Sequence, residues 1–301
     1  MELLKLGSKG VGVKNLQRLL KIKPIDGDFG PMTQKRVIQY QLSQDLKPDG
    51  IVGAITMQML MVKPYVTHLA IDEDTDDMNR FYVTNYNQKI HKYYLPKGEF
   101  IQGKIKNDYI FLHHTAGWNN PYKTIDHWGR DDRGRVGTEF VLGGQKITNN
   151  NADYDGVMVQ AFPEGCQGWH LGKTGSGYMN RHSVGVEINN FGYLKDGITY
   201  AGQKATPEQI CTLSEPFKGF LTWHNYSEAQ INELEKWLRY VGERDNLDIR
   251  EGLVQWIKKY GPTKAFEFQK DAYYGKVKGL LTHTNVRRDK FDCYPHPDLI
   301  D

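Results

Sequence analysis

Two histidines, His113 and His114, close the apolar run YIFLHH at 109–114. A β-branched and aromatic run of this length reads as a buried strand. Imidazoles at its end are either hydrogen-bonded core groups or ligands that need convergent partners. Suitable types sit at the ends of other short segments: Glu187 in SVGVEIN, His283 in GLLTHTNV, and Lys290, Asp292 and Cys293 in DKFDCYPHP. Two histidines with an acidic or thiolate third ligand make a three-ligand zinc site. Its open fourth position can hold a water, as catalysis requires, whereas a structural zinc is closed by four ligands.

These residues need a scaffold that gathers strand ends. YIFLHH, TEFVLGG, GVMVQAF, SVGVEINNFG and KGLLTH all read as strands. Between the last two, Thr206 with Gln209 and Ser227 with Gln230 have the capping-box spacing. The second opens a stripe of Ile231, Leu234, Leu238 and Val241, predicting a helix from Ser227 to about Asn246, and another follows from Asp248 to Tyr260. Helices of this kind cover a face of a mixed sheet.

The first sixty residues are organised differently. DGDFGPMT at 26–33 returns as DGIVGAIT at 49–56. Each copy places Asp-Gly at a tight turn and a Thr at the start of an apolar-periodic segment, which is turn chemistry followed by a helix. With the stripe Val13, Leu16, Leu19 and Leu20 ahead of them, they predict a small three-helix domain. Pro64 and the acidic run Asp72, Glu73, Asp74, Asp76 and Asp77 then read as a solvated linker. The expected fold class is α/β: a small three-helix N-terminal domain at 1–63, a linker at 64–78, and a mixed β-sheet domain flanked by helices at 79–301.

Composition narrows the function classes. Lys plus Arg exceeds Asp plus Glu by 39 − 36 = 3 in 301 residues, so bulk charge gives no support for nucleic-acid binding. Three widely spaced cysteines, Cys166, Cys211 and Cys293, form no CxxC pair and no disulfide framework, which fits synthesis in a reducing compartment. MELLKLGSKG lacks the apolar core of a signal peptide, and no apolar run approaches the roughly 18 residues that span a bilayer. The expectation is a monomer made in the cytoplasm, without membrane insertion.

Two resemblances sharpen the reading. LKLGSKGVGVKNLQRLL at 4–20, followed by DGDFG and DGIVGAIT, resembles the peptidoglycan-binding module found at the ends of many cell-wall hydrolases, and implies bacterial peptidoglycan as the partner. IFLHHTAG, GWHLGK at 168–173, HSVGVEINNFG and HTNVRRDKFD together resemble the zinc-dependent N-acetylmuramoyl-L-alanine amidases of type 2, whose fold is shared with peptidoglycan recognition proteins. The second resemblance covers roughly 79–301 and implies one zinc ion per chain, held by His113, His283 and Asp292, with His114 on the opposite side of the strand. Asp292 takes the third place because it stands two residues after Lys290, although Cys293 adjoins it and some relatives use cysteine.

The same resemblance implies that Glu187 is the catalytic carboxylate and Lys290 the catalytic cation, and that His170 contacts substrate. Trp118, Trp169 and Tyr178 are candidate walls for sugar or peptide. Thr138 and Glu139 stand where relatives carry Tyr or His, so no role carries over to them. The implied reaction cleaves the amide between N-acetylmuramic acid and L-alanine of the stem peptide. A phage endolysin released to the host wall is the leading expectation; a peptidoglycan sensor without turnover and a bacterial wall-recycling amidase are the alternatives.

Overall fold

The computed structural model describes residues 3–62 and 81–300, except 21, 23, 45, 104, 105, 148, 175 and 176. The expected linker at 64–78 lies outside the described residues. The chain divides into two units, and each has its own core.

In the first unit, helices α1 (Val11–Leu19), α2 (Pro31–Ser43) and α3 (Ala54–Val62) close over buried Val13, Leu16, Leu20, Phe29, Val37, Tyr40, Val52 and Leu60. The sequence repeat has a hydrogen-bonding cause. Buried Gln17 accepts from Gly27 N at 2.9 Å, and its amide nitrogen faces Asp26 Oδ1 at 2.7 Å, Asp28 O at 3.1 Å and Thr33 Oγ1 at 3.3 Å. Gln41 repeats the pattern with Gly50 N at 2.9 Å, Asp49 Oδ1 at 3.1 Å, Ile51 O at 2.9 Å and Thr56 Oγ1 at 3.3 Å. Each Asp-Gly turn is therefore tied to the helix before it by one buried amide, which satisfies turn groups that would otherwise be desolvated unpaired.

The second unit contains β1 (Phe81–Val83), β2 (Lys89–Lys92), β3 (Ile101–Gln102), β4 (Tyr109–His114), β5 (Phe140–Leu142), β6 (Met158–Gln160), β7 (Cys166–Gln167), β8 (Ser183–Ile188), β9 (Ile210–Phe217), β10 (Phe220–His224) and β11 (Gly279–Thr282). Seven of them form one mixed sheet in the order β1-β2-β6-β5-β8-β4-β11. At its centre β4 runs parallel to both β8 and β11, so three adjacent strands end on the same side. Strands buried on both faces read as continuous apolar runs. One face packs Ile110, Leu112, Val184 and Val186 against Leu234, Trp237 and Val241 of the helix Glu228–Asp245; the other packs Tyr109, Phe111 and Leu281 against Leu171, Met179 and Val286.

The capping boxes fare differently. Ser227 caps a helix of 18 residues, Glu228–Asp245, with its side chain accepting from Gln230 N. Thr206 opens only a single turn, Pro207–Gln209, and the chain then enters the hairpin β9–β10 in place of the helix that its capping-box spacing predicts. Lys218 and Gly219 both take positive φ, 52° and 86°, which supplies the tight reversal between twisted strands. The helix expected from Asp248 begins later, as Leu253–Tyr260, because Asp248 closes a turn by accepting from Arg250 N at 2.9 Å. No helix among the described residues is long and apolar enough to cross a membrane.

Burial of His224 at the end of β10 carries a pH prediction. Its Nδ1 accepts from Phe191 N at 3.1 Å; burial, aided by nearby His114, lowers its pKa from 6.5 to about 4. The folded value lies below the unfolded one, so this stability is fully present above about pH 6.5 and is lost as pH falls toward the folded pKa. His224→Asn keeps an acceptor near the Nδ1 position and cannot titrate. Urea midpoints at about pH 7.5 and about pH 5 should differ less in the variant than in the wild type, and equal differences would assign the acid sensitivity elsewhere.

Candidate metal centre and cleft

The parallel register fixes which residues meet. His113 pairs with Glu187 across β4 and β8, and Leu112 pairs with Thr282 across β4 and β11, so His283 follows at the level of His113. Registered neighbours in a parallel pair share a face, and successive residues alternate. His113 and Glu187 therefore lie on one face, and His114 on the other. There His114 Nδ1 meets Tyr226 OH at 2.9 Å, and burial lowers its pKa to about 4.

On the first face three donor atoms converge. His113 Nδ1 lies 3.0 Å from His283 Nδ1, and Asp292 Oδ2 lies 2.9 Å from His283 Nδ1 and 3.3 Å from His113 Nδ1. Among the described residues this is the cluster of three or more metal-ligating side chains. It is enclosed: His113, His283 and Asp292 are 1%, 5% and 9% exposed. Burial works against the Asp292 charge, but the His283 and His113 rings outweigh it and hold the carboxyl far below its ordinary range. Burial, with His283 adding, lowers His113 to about 4, although Asp292 opposes. The neutral imidazole and the carboxylate are the forms that ligate metals.

Lys290 and Glu187 complete the electrostatics. Burial raises the Glu187 carboxyl well above its ordinary value, the Asp292 charge adds to this, and Lys290 opposes it. In KFD the middle residue turns outward. Phe291 is 38% exposed and packs on Tyr193 and Phe220, with ring centroids 5.6 and 6.1 Å away. The hairpin β9–β10 thus supports the segment that carries both Lys290 and Asp292. Cys293 joins the opposite core and pairs with Tyr226, while burial pushes its thiol well above the ordinary range. Its sulfur lies outside the set of converging donor atoms, which is His113, His283 and Asp292.

GWHLG at 168–172 crosses this face. His170 Nδ1 is 2.9 Å from His113 Nε2, and His170 Nε2 is 2.8 Å from Ser183 Oγ. Both ring nitrogens of His170 therefore face protein groups, which differs from the expected contact with substrate. Trp169 beside it is 41% exposed and Trp118, in the loop after β4, is 50% exposed. Trp118 packs edge-on against Phe191 at 5.2 Å, and its carbonyl accepts from Asn189 Nδ2. Tyr178 lies over His182 at 3.5 Å and donates to Asp108 Oδ2 at 2.7 Å. Thr138 donates to Phe140 O at 2.7 Å. Glu139 is buried in an ion pair with Arg244, 2.7 Å away, so its position has a structural use.

Residues 103–264, more than half of the chain, match the family described as N-acetylmuramoyl-L-alanine amidase. The chain belongs to that family. Residues 9–60 match a peptidoglycan binding domain. The amidase match contains His113, His170 and Glu187 and ends before His283, Lys290 and Asp292; β11 beside β4 brings His283 to the same place, and the segment after it brings Asp292. No curated protein matches.

Solved structures similar to parts of this chain include a fused zinc-dependent amidase/peptidase/peptidoglycan-binding protein from Clostridium acetobutylicum, 36% identical over 20% of this chain and 28% of that one, TM-score 0.19. A Burkholderia AP3 phage endolysin is 30% identical over 23% and 28%, TM-score 0.20. The amidase LysC from Clostridium intestinale is 16% identical over 70% and 92%, TM-score 0.38. The chain covers little more than a quarter of the first two.

The donor set of this amidase-family unit fits zinc. Two imidazole nitrogens and one carboxylate oxygen are ligand types zinc accepts, and three protein ligands leave a position for water or substrate. The same three lone pairs, enclosed and mutually within 3.3 Å, would repel one another without a cation or proton between them.

Proposed function

We propose that this protein is a zinc-dependent peptidoglycan amidase that cleaves the bond between N-acetylmuramic acid and L-alanine of the stem peptide. The observation that carries the reading is Glu187, in register with His113, beside a buried His-His-Asp donor set. One zinc ion per chain would be held by His113, His283 and Asp292. When bound, zinc supplies a Lewis acid that acidifies water and polarises a carbonyl.

The chain's own groups do the rest. Glu187, raised by burial, is a stronger base than an ordinary carboxylate and takes the proton of the attacking water, later returning it to the leaving amine. Lys290 places its ammonium where negative charge develops on the amide oxygen. Trp118 and Trp169 offer exposed aromatic faces for sugar or peptide.

Residues 1–63 serve as the wall-binding module, 64–78 as the linker and 79–301 as the amidase domain. A weak binder tethered to an enzyme raises the local concentration of an insoluble substrate. Lysis of a host wall by a phage endolysin is the biological role this combination supports.

The test is digestion of purified peptidoglycan with product analysis by mass spectrometry. The expected products are glycan strands freed of stem peptides and stem peptides beginning with a free L-alanine amine. Chelation should abolish their release and added zinc should restore it. New reducing sugar ends, or cuts within the peptide, would replace the proposed bond; full activity in metal-free protein would remove the metal.

A further inference from the structure

The loop GWHLG sits behind both histidines of the cluster. His113 turns Nδ1 inward, and its Nε2 meets His170 Nδ1 at 2.9 Å. His283 likewise turns Nδ1 inward, and its Nε2 faces the carbonyl of Leu171 at 3.4 Å. Consecutive residues of one loop therefore receive the outer nitrogens of both rings. A carbonyl only accepts, so a hydrogen on His283 Nε2 leaves its Nδ1 as a lone pair. The same outcome at His113 requires His170 Nδ1 to be an acceptor, with the His170 hydrogen on Nε2. Ser183 Oγ, 2.8 Å from that nitrogen, can receive it.

Two side chains, Asn180 and Arg287, fix the loop. His170 N and Leu171 N both donate to Asn180 Oδ1, at 3.3 and 3.0 Å, and Asn180 Nδ2 donates to Gly172 O at 3.1 Å. Arg287 Nη1 donates to Leu171 O at 3.1 Å, while Asp289 holds the guanidinium at 2.8 and 2.7 Å. Two glycines admit these contacts. A Cβ on Gly172 would lie 2.3 Å from Arg287 Nη1, and one on Gly185 would lie 3.2 Å from His170 Nδ1 and 2.9 Å from Thr138 Cγ2.

We propose that His170 and the Leu171 carbonyl, clamped by Asn180, are positioning groups that set His113 and His283 in the tautomer whose Nδ1 atoms are free to bind zinc. The inference rests on the zinc reading of the cluster. It gives His170 a role acting through His113 in place of substrate contact. Outer partners of this kind orient ligand rings and raise their basicity, and losing one typically costs about 10- to 100-fold in metal affinity or activity.

The experiment measures zinc affinity of the full-length protein by competition with a chromophoric chelator. His170→Phe keeps a ring against Phe111, 5.8 Å away, and removes the acceptor; it should bind zinc about 10- to 100-fold more weakly. His170→Asn can offer Oδ1 near the position of Nδ1 and should regain much of that loss. Imidazole 15N NMR of the zinc-loaded wild type should show His113 and His283 with hydrogen on Nε2. Ser183→Ala, which leaves His170 in place, should weaken zinc to a smaller degree, and circular dichroism checks that each variant is folded.

Wild-type affinity in folded His170→Phe, or equal losses in the Phe and Asn variants, would overturn the proposal. So would hydrogen on Nδ1 of either histidine. A wild-type protein that fails to bind zinc would instead remove the zinc reading itself, so the two failures are distinguishable.

Discussion

Asp292→Ala should lose zinc, whereas Cys293→Ser should retain close to one ion per chain. Asp292 supplies the oxygen that stands 2.9 and 3.3 Å from the two inward Nδ1 atoms, and it is the anionic member of the proposed ligand set. Removing it leaves two neutral ligands. The cost should exceed the roughly 10- to 100-fold expected for an outer partner. The thiol of Cys293, though adjacent in sequence, pairs with Tyr226 in the opposite core. Metal content after gel filtration, measured on both variants and the wild type, decides between them. Zinc retained by Asp292→Ala and lost by Cys293→Ser would make sulfur the third ligand.

Much of the scaffold was legible because the central strands are buried on both faces and read as uninterrupted apolar segments. YIFLHH is β4 from end to end. Of the two edge strands β11 is legible within KGLLTH, whereas β1, β2, the short pair β3–β7 and the hairpin β9–β10 are not, because their patterns are mixed or too short: β9 runs ICTLSEPF, with its charge and proline exposed to solvent. Thr206 shows how a local signal can be correct and still mislead. Its capping box forms, but the helix stops after one turn, because the next residues pair as strands instead.

His113, Glu187 and His283 were legible for a similar reason, since each ends or follows an apolar strand, whereas Asp292 rests on its spacing from Lys290. What surrounds them was not. Ser183, Asn180 and Arg287 act through hydrogen bonds between segments far apart in sequence, and none belongs to a periodic pattern. Gln17 and Gln41 are comparable. The repeated Asp-Gly turns are visible as letters, but the two amides that hold them are ordinary positions on polar-looking helices. His170 was singled out, yet its direction depends on the missing side chain of Gly185 and on Asn180, neither of which spacing along the chain can show.

The other large effect concerns Glu187 and Lys290. Glu187→Gln and Lys290→Ala are each expected to lower turnover by about a hundredfold or more, the usual size of general acid–base and oxyanion contributions. Both should retain zinc and bind cell walls as before, because neither side chain belongs to the cluster of donors and each acts on the transition state more than on bound substrate. The double variant should lose less than the product of the two single losses, since groups serving one transition state are not independent. Turnover, zinc content and wall binding measured on the same preparations separate the possible causes. A Glu187→Gln protein that keeps most of its turnover would remove the proposed base. One that loses zinc would show instead that the carboxylate opposite His113 supports the metal centre, and the proton transfer would then have to be assigned to another group on that face.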